Sequence, residues 1–290
     1  RNGELGVAVA TGWPAVGAVV PWVEPGVGAV ATQSFTNVDL GPLGLDLLRA
    51  GRSSAEAIEA LIDADDGRDL RQLGMVDAFG RSAAFTGEDC IAEASHACAA
   101  GVSAQANMLA RPRVPHAMLE AFGGVGGDLA ERLLAALHRA EASGGDMRGI
   151  RSAALVVAPG TTRVRPWVRR FELRVDDSPA PLDDLAHLLL VARAHEALAG
   201  ALRAAREGRL EEGLRGTSSA REQVPDDAHV AFWHGVLLLA SDQAEEGQAL
   251  LVRTLRDAPQ LAEYASRSAR SDAGSAVAPA LRIAARLGGP

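Results

Sequence analysis

The strongest constraint on the fold is the order in which two kinds of apolar spacing alternate along the chain up to Asp177. Residues 16–20 and 27–32 are short runs rich in β-branched side chains, cut by Gly and Pro, and they read as buried strands. Gly41-Pro42 then opens a helix through Leu45, Leu47 and Leu48 that Gly51 closes. Ser53 with Glu56 three residues on is a capping-box signature, and Ala57, Ile58, Leu61 and Ile62 form one helical face. Met75-Val76 and residues 83–85 flank a polar turn over 77–81, which predicts a hairpin. An extended stretch near 102–105 precedes helices expected at about 114–122 and 128–142, the second N-capped by Asp128. Residues 153–158 and 167–175, joined at Pro159-Gly160, make a closing hairpin. Hairpins alternating with helix pairs imply antiparallel sheets covered by helices, not a parallel doubly wound sheet. The expected class is α+β, and a four-layer αββα sandwich suits this order.

Beyond Asp177 the chain is almost purely helical and echoes itself. "AREGRLEEGLRGTSSAREQVPDD" can be laid over "ASDQAEEGQALLVRTLRDAPQ", with Glu212-Gly213 on Glu246-Gly247 and Pro225 on Pro259, 34 residues later. That is the tetratricopeptide spacing, and Phe232-Trp233-His234-Gly235 falls where the repeat puts its aromatic and small residues. Two copies are fewer than the ~3 needed for independent stability, so the region is expected to lean on the first domain or on a partner. The domains expected are residues 1–180, αββα, and 181–290, an all-α repeat region.

Composition narrows the function classes. A net charge of −8 argues against nucleic-acid and anionic-membrane partners. All 29 basic side chains are arginine, so neither a Schiff-base nor a P-loop lysine is available within this sequence. Cys90 and Cys98 make no disulfide framework and read as reduced thiols. Gly, Pro or charge interrupts every apolar run short of the ~20 residues of a membrane helix, so no membrane span and a cytoplasmic location are expected. His96, His116 and His138 share no ligand spacing with each other or with either cysteine, and neither a metal nor a cofactor is expected.

Several polar stretches are candidates for chemistry. "ATQSFTN" (31–37) follows a buried strand and precedes a helix. Thr32, Gln33, Ser34 and Asn37 there suit an oxyanion hole, or else a turn of self-bonding side chains. In "SGGDMRG" (143–149), Asp146 or Arg148 can orient a substrate or terminal amine, or Asp146 caps a tight turn. "FGGVGGDLAERLL" (122–134) follows a helix and lacks lysine, so it reads as a helix connection, not a phosphate loop. The carboxylates of "RVDD" (174–177) suit a metal or acid–base pair, or a linker and N-cap. Cys90 in a loop can be a nucleophile but has no persuasive histidine base; Cys98 reads as packing.

"AVGAVVPWVEPGVGAVATQSFTNVDLGPLGLDLLRAG", "RQLGMVDAFGRSAAFTGEDC", "QANMLA", "LAERLLAALHRAEASGGDMRGIRSAAL" and "LRVDD" together resemble the bacterial family catalogued as domain of unknown function 1028, over residues 3–180. The resemblance implies an Ntn-hydrolase-like αββα fold, often with an extra C-terminal module. In Ntn hydrolases the first residue of the mature chain, Thr, Ser or Cys, is the nucleophile and its own α-amine is the base. By the resemblance, that residue sits on a strand preceding "RNGELG", so Arg1 is not the nucleophile, and residues 32–34 lie near the oxyanion hole. Asn37, Asn107 and Asp146 are then further cleft residues. The chain departs from the family pattern at Thr11-Gly12, where a small then a basic residue is usual, at Ala106 for Gly, and at Arg151 for Gln. The expected function is hydrolysis of a small amide, ureide or peptide-like bond. The alternative is a non-catalytic αββα scaffold presenting a tetratricopeptide-like surface to a protein partner, and homo-oligomerisation is left open.

Overall fold

Leu5, Val7 and Val9 are buried and alternate with Gly6, Ala8 and Ala10, a period of two that makes β1 (Leu5–Thr11) a strand with one core face. In the computed structural model, which describes residues 2–288, β1 pairs antiparallel with β8 (Ser152–Ala158) and β8 with β9 (Phe171–Val175). Arg1, excluded above as a nucleophile, lies outside the described residues. A second antiparallel sheet has the order β2 (Pro21–Glu24), β3 (Gly28–Ser34), β4 (Arg71–Asp77), β5 (Ser82–Thr86). A two-stranded hairpin joins β6 (Ser95–Ala99) to β7 (Val102–Ala106).

The inner faces of the two larger sheets share one core. Leu5, Val7 and Val9 of β1 and Ala154, Val156 and Ala158 of β8 meet Val23, Ala29 and Ala31 of the second sheet. A one-residue slip of β1 would turn its three large side chains off this core, at roughly 1.5–3 kcal/mol each. That pins Leu5 opposite Ala158. On the other face of the second sheet, Val30, Leu73 and Met75 pack under α1 (Leu40–Arg49) and α2 (Ser54–Asp63). Ser53 and Glu56 form the capping box that starts α2, and Asp128 and Glu131 form another for α4 (Leu129–Ala142). α4 packs on β1, β8 and α3 (Val114–Gly124).

Three local expectations need correction. Residues 16–20 are not a strand: Val16–Ala18 is a 3-10 turn entered through a left-handed Ala15, and the strand begins at Pro21. β2 is an edge strand, where a proline without an N–H is tolerated. β6, "SHACA", was not expected as a strand because it lacks β-branched and aromatic residues, and its Cys98 is exposed instead of packed. The closing hairpin is looser than its sequence implies. β9 starts at Phe171, and Trp167 lies exposed in the connection.

The chain forms two compact units, Arg1–Leu189 and Leu190–Pro290. The division falls within α5 (Pro181–Arg206), a helix long and apolar enough to cross a bilayer by length and composition alone. Counting uninterrupted apolar runs missed it, because Asp183, Asp184 and Arg193 punctuate an otherwise Leu- and Ala-rich stretch. Its Ala194 and Leu198 belong to the hydrophobic core of the second unit.

That unit is all helical: α6 (Leu210–Gln223), α7 (Ala228–Leu239), α8 (Ala244–Asp257), α9 (Gln260–Ser271) and α10 (Ala278–Leu287). α6 and α8 start and end 34 residues apart. Their C-caps, Val224 (φ −134°, ψ 70°) and Ala258 (φ −136°, ψ 69°), share one conformation because each precedes a proline that bars the helical region.

Candidate functional site

Four consecutive residues of β1, Ala8 to Thr11, line a cavity of about 550 Å³. Successive side chains of a strand point to opposite faces, so a cavity touched by four in a row runs along the strand's edge. β1 ends its sheet, and among the described residues no strand pairs with that edge. Apolar walls come from Val16, Val19, Val20, Met118 and Leu137, while Trp13, Phe35 and Val38 stand exposed at the rim.

The polar side of the cavity is built where β3 ends. Ser34 has a left-handed backbone, φ 67°, and its Oγ is buried with no hydrogen-bond partner among the described residues. Met108, φ 54°, is a second left-handed residue on the same wall. Such strain persists only where surrounding structure imposes it, and it concentrates at functional sites.

Beside Ser34 lies a network centred on Gln72, which is fully buried and directly opposite Gln33 in the β3–β4 register. Gln72 Nε2 donates to the main-chain carbonyls of Ser95 (3.2 Å) and Ala106 (3.0 Å) and to Thr86 Oγ1 (3.0 Å). Carbonyls only accept, so this end of the amide must be the NH2. Gln72 Oε1 therefore faces Gln33 Nε2 (3.1 Å) and Asn107 Nδ2 (3.0 Å) and accepts from both. Gln33 Nε2 also reaches the Gln105 carbonyl at 3.4 Å.

Asp146 and Arg148 lie where the chain returns toward β8. Asp146 Oδ2 accepts from the Gly12 N–H (2.9 Å) and Arg148 Nη2 (2.6 Å). Its Oδ1 accepts from the Arg148 backbone N–H and Nε, both at 2.9 Å. Burial pushes the Asp146 carboxyl up, but the Arg148 guanidinium and these N–H groups outweigh it and hold the group below the usual carboxylate range. Arg148 Nη2 also donates to Thr11 Oγ1 at 3.3 Å. The pair staples the end of β1 to the turn before β8. A side chain at Gly12 would meet the Gly149 carbonyl at 2.7 Å, which fits the small residue this chain carries there.

The cavity thus gathers Gln33, Ser34, Asn107, Asp146 and Arg148 and leaves two of the sequence candidates outside its lining. Thr32 is fully buried; its hydroxyl donates to the Asn37 carbonyl and its N–H to the Val20 carbonyl. Asn37 donates to Asp65 from Nδ2 and accepts from the Asp39 N–H. The side-chain amide of Gln33 commits its donors to Gln72 and Gln105. Composition gave no sign of Gln72; the available signal was a lone polar side chain inside the buried run "RQLGMV".

Cys90 is buried away from the cavity lining, its thiol donating to the Arg71 carbonyl. Asp176 and Asp177 pair with Arg174 and Arg151. Among the described residues no three His, Cys, Asp or Glu side chains are grouped as a metal site.

Comparison with known proteins agrees with this description of the first unit. A crystal structure of a Silicibacter pomeroyi protein assigned to DUF1028 superposes with a TM-score of 0.59 at 34% identity, covering 64% of this chain and 79% of that one. No curated protein matches. The model of the family described as "Family of unknown function (DUF1028)" matches residues 1–185, and the chain belongs to that family.

Proposed function

We propose that the first unit is a four-layer αββα sandwich of the Ntn-hydrolase type and that its cavity hydrolyses a small amide, ureide or peptide-like bond. The observation that carries this reading is the cavity that runs along the open edge of β1. A strand paired with that edge would carry a terminal Thr, Ser or Cys. Its side-chain proton passes to its own α-amine, whose pKa near ~8 suits the transfer. The oxygen or sulfur attacks the amide carbon, and the developing oxyanion lies toward the end of β3 at residues 33–34. The ammonium returns its proton to the departing amine, and water then cleaves the acyl-enzyme and restores the nucleophile.

The test is ammonia release from simple primary amides by the gene product with its native amino terminus, together with mass spectrometry after exposure to an acylating β-lactone. Turnover and one adduct on the terminal residue support hydrolysis. No turnover and no adduct, with the terminus free, overturn it.

A second reading, a non-catalytic scaffold with a protein-binding surface, draws support from the 34-residue offset of α6 and α8. In it, α6–α7 and α8–α9 are tetratricopeptide-like pairs, and a partner bound by the second unit alone would favour it.

A further inference from the structure

Orientation of the amides around Gln72 decides what the cavity offers a ligand. Both carboxamide nitrogens, Gln33 Nε2 and Asn107 Nδ2, turn inward onto the one Gln72 oxygen. Their oxygens therefore turn the other way. Gln33 Oε1 and Asn107 Oδ1 accept no hydrogen bond from the described residues, and neither is sealed from solvent as Ser34 Oγ is. Both residues line the cavity, so their two acceptors are open to it, with the Glu141 carboxylate also in the lining and Ser34 Oγ sealed behind the wall. Arg148 is the one cation among the described lining residues, and Asp146 already neutralises it. A carboxylate would meet two carbonyl lone pairs and no free positive charge.

We infer that the cavity recognises a terminal carboxamide-type group, –C(=O)NH2, carried on an apolar body. Its two N–H bonds go to Gln33 Oε1 and Asn107 Oδ1. The apolar body lies along Val16, Val20 and Leu137. A primary amide and a monosubstituted urea both present this group. The inference narrows the substrate class of the hydrolase reading and rests on the same cavity, but it concerns binding and does not need turnover.

The test is calorimetric titration of the protein with four probes of equal heavy-atom count: hexanamide, butylurea, hexanoate and N,N-dimethylbutanamide. Hexanamide or butylurea, whichever source the site prefers, is expected to bind about tenfold more tightly than both hexanoate and the dimethylamide, which lacks N–H. Gln33→Met, of similar length but without the acceptor, is expected to remove about tenfold from the NH2 probes and nothing from the dimethylamide. Equal or tighter binding of hexanoate or the dimethylamide overturns the inference, as does no binding by any probe. The comparison of probes on the unaltered protein stands even if the variant does not fold. Tight hexanamide binding without ammonia release leaves this inference intact and removes hydrolysis. Turnover of amides with no preference for the NH2 form does the reverse.

Discussion

Two unfavourable features coincide at Ser34. A left-handed backbone costs a non-glycine residue about 1–2 kcal/mol, and a buried hydroxyl without a partner costs about 1–3 kcal/mol. Among the described residues no hydrogen-bond partner meets the hydroxyl, and strain of this kind concentrates at functional sites. Ser34→Gly removes both and is expected to raise stability by about 1 kcal/mol in urea unfolding. A destabilised variant would show that the hydroxyl is satisfied in solution. Gln72 is the opposite case, a buried polar group with every bond made. Gln72→Leu strands the Gln33 and Asn107 donors and two main-chain carbonyls, and a loss of about 3 kcal/mol or more is expected. A loss under about 1 kcal/mol in the same assay would mean that the network does not orient the cavity.

Elements with a local chemical cause were legible in the sequence. The capping box and apolar face of α2 and the Asp128 N-cap of α4 depend on residues three or four apart, and they appear where the spacing puts them. β6 was hidden because Ser, Ala and Cys carry no strand preference and its pairing is set by β7. Ser34 and Asp146 could be named from loop chemistry, and Asn107 only through the family resemblance. The direction in which Gln33 points could not, because it depends on Gln72, 39 residues away in sequence.

In the second unit the start of α7 supplies a further prediction. Asp227 caps it and pairs with His195 Nε2 at 2.8 Å. His195 stacks on His229, which accepts from Trp233 Nε1 at 3.1 Å and meets Tyr264 edge-on. Burial, then the neighbouring His195, pulls the His229 pKa below its usual 6.5, against a smaller upward pull from Asp227. The unfolded chain therefore takes the proton first. Stability linked to neutral His229 is complete above about pH 6.5 and is lost as pH falls through the lower folded value. Between about pH 7.5 and about pH 5.5 the wild type should lose more urea stability than His229→Asn, because protonation also sets two N–H donors against each other at Trp233. Equal losses would place the acid sensitivity elsewhere, with buried His234 the next group to replace.

For the molecule as a whole, each of the three hydrophobic cores above is built from the described residues of one unit. The cores between and beneath the sheets use residues up to Ala158, and the helical core begins at Val191. The groups that build the cavity likewise all precede Leu189, from Ala8 through Gln33, Asn107 and Arg148 to Leu182. A unit that owns both its core and its cavity should fold and bind without the rest of the chain. Ending the protein after Leu189 keeps the first two turns of α5, with Leu182 and Leu185 buried in the full chain. The expected outcome is a monodisperse protein with cooperative urea unfolding and the same probe preference in calorimetry, hexanamide over hexanoate. Aggregation that Leu185→Gln relieves would show that only the exposed end of α5 is at fault, and the argument for a self-contained unit survives. Aggregation that persists, or a folded fragment that no longer distinguishes the two probes, would mean that the helical unit completes the site. The family's shared region would then not be sufficient for its chemistry in this protein.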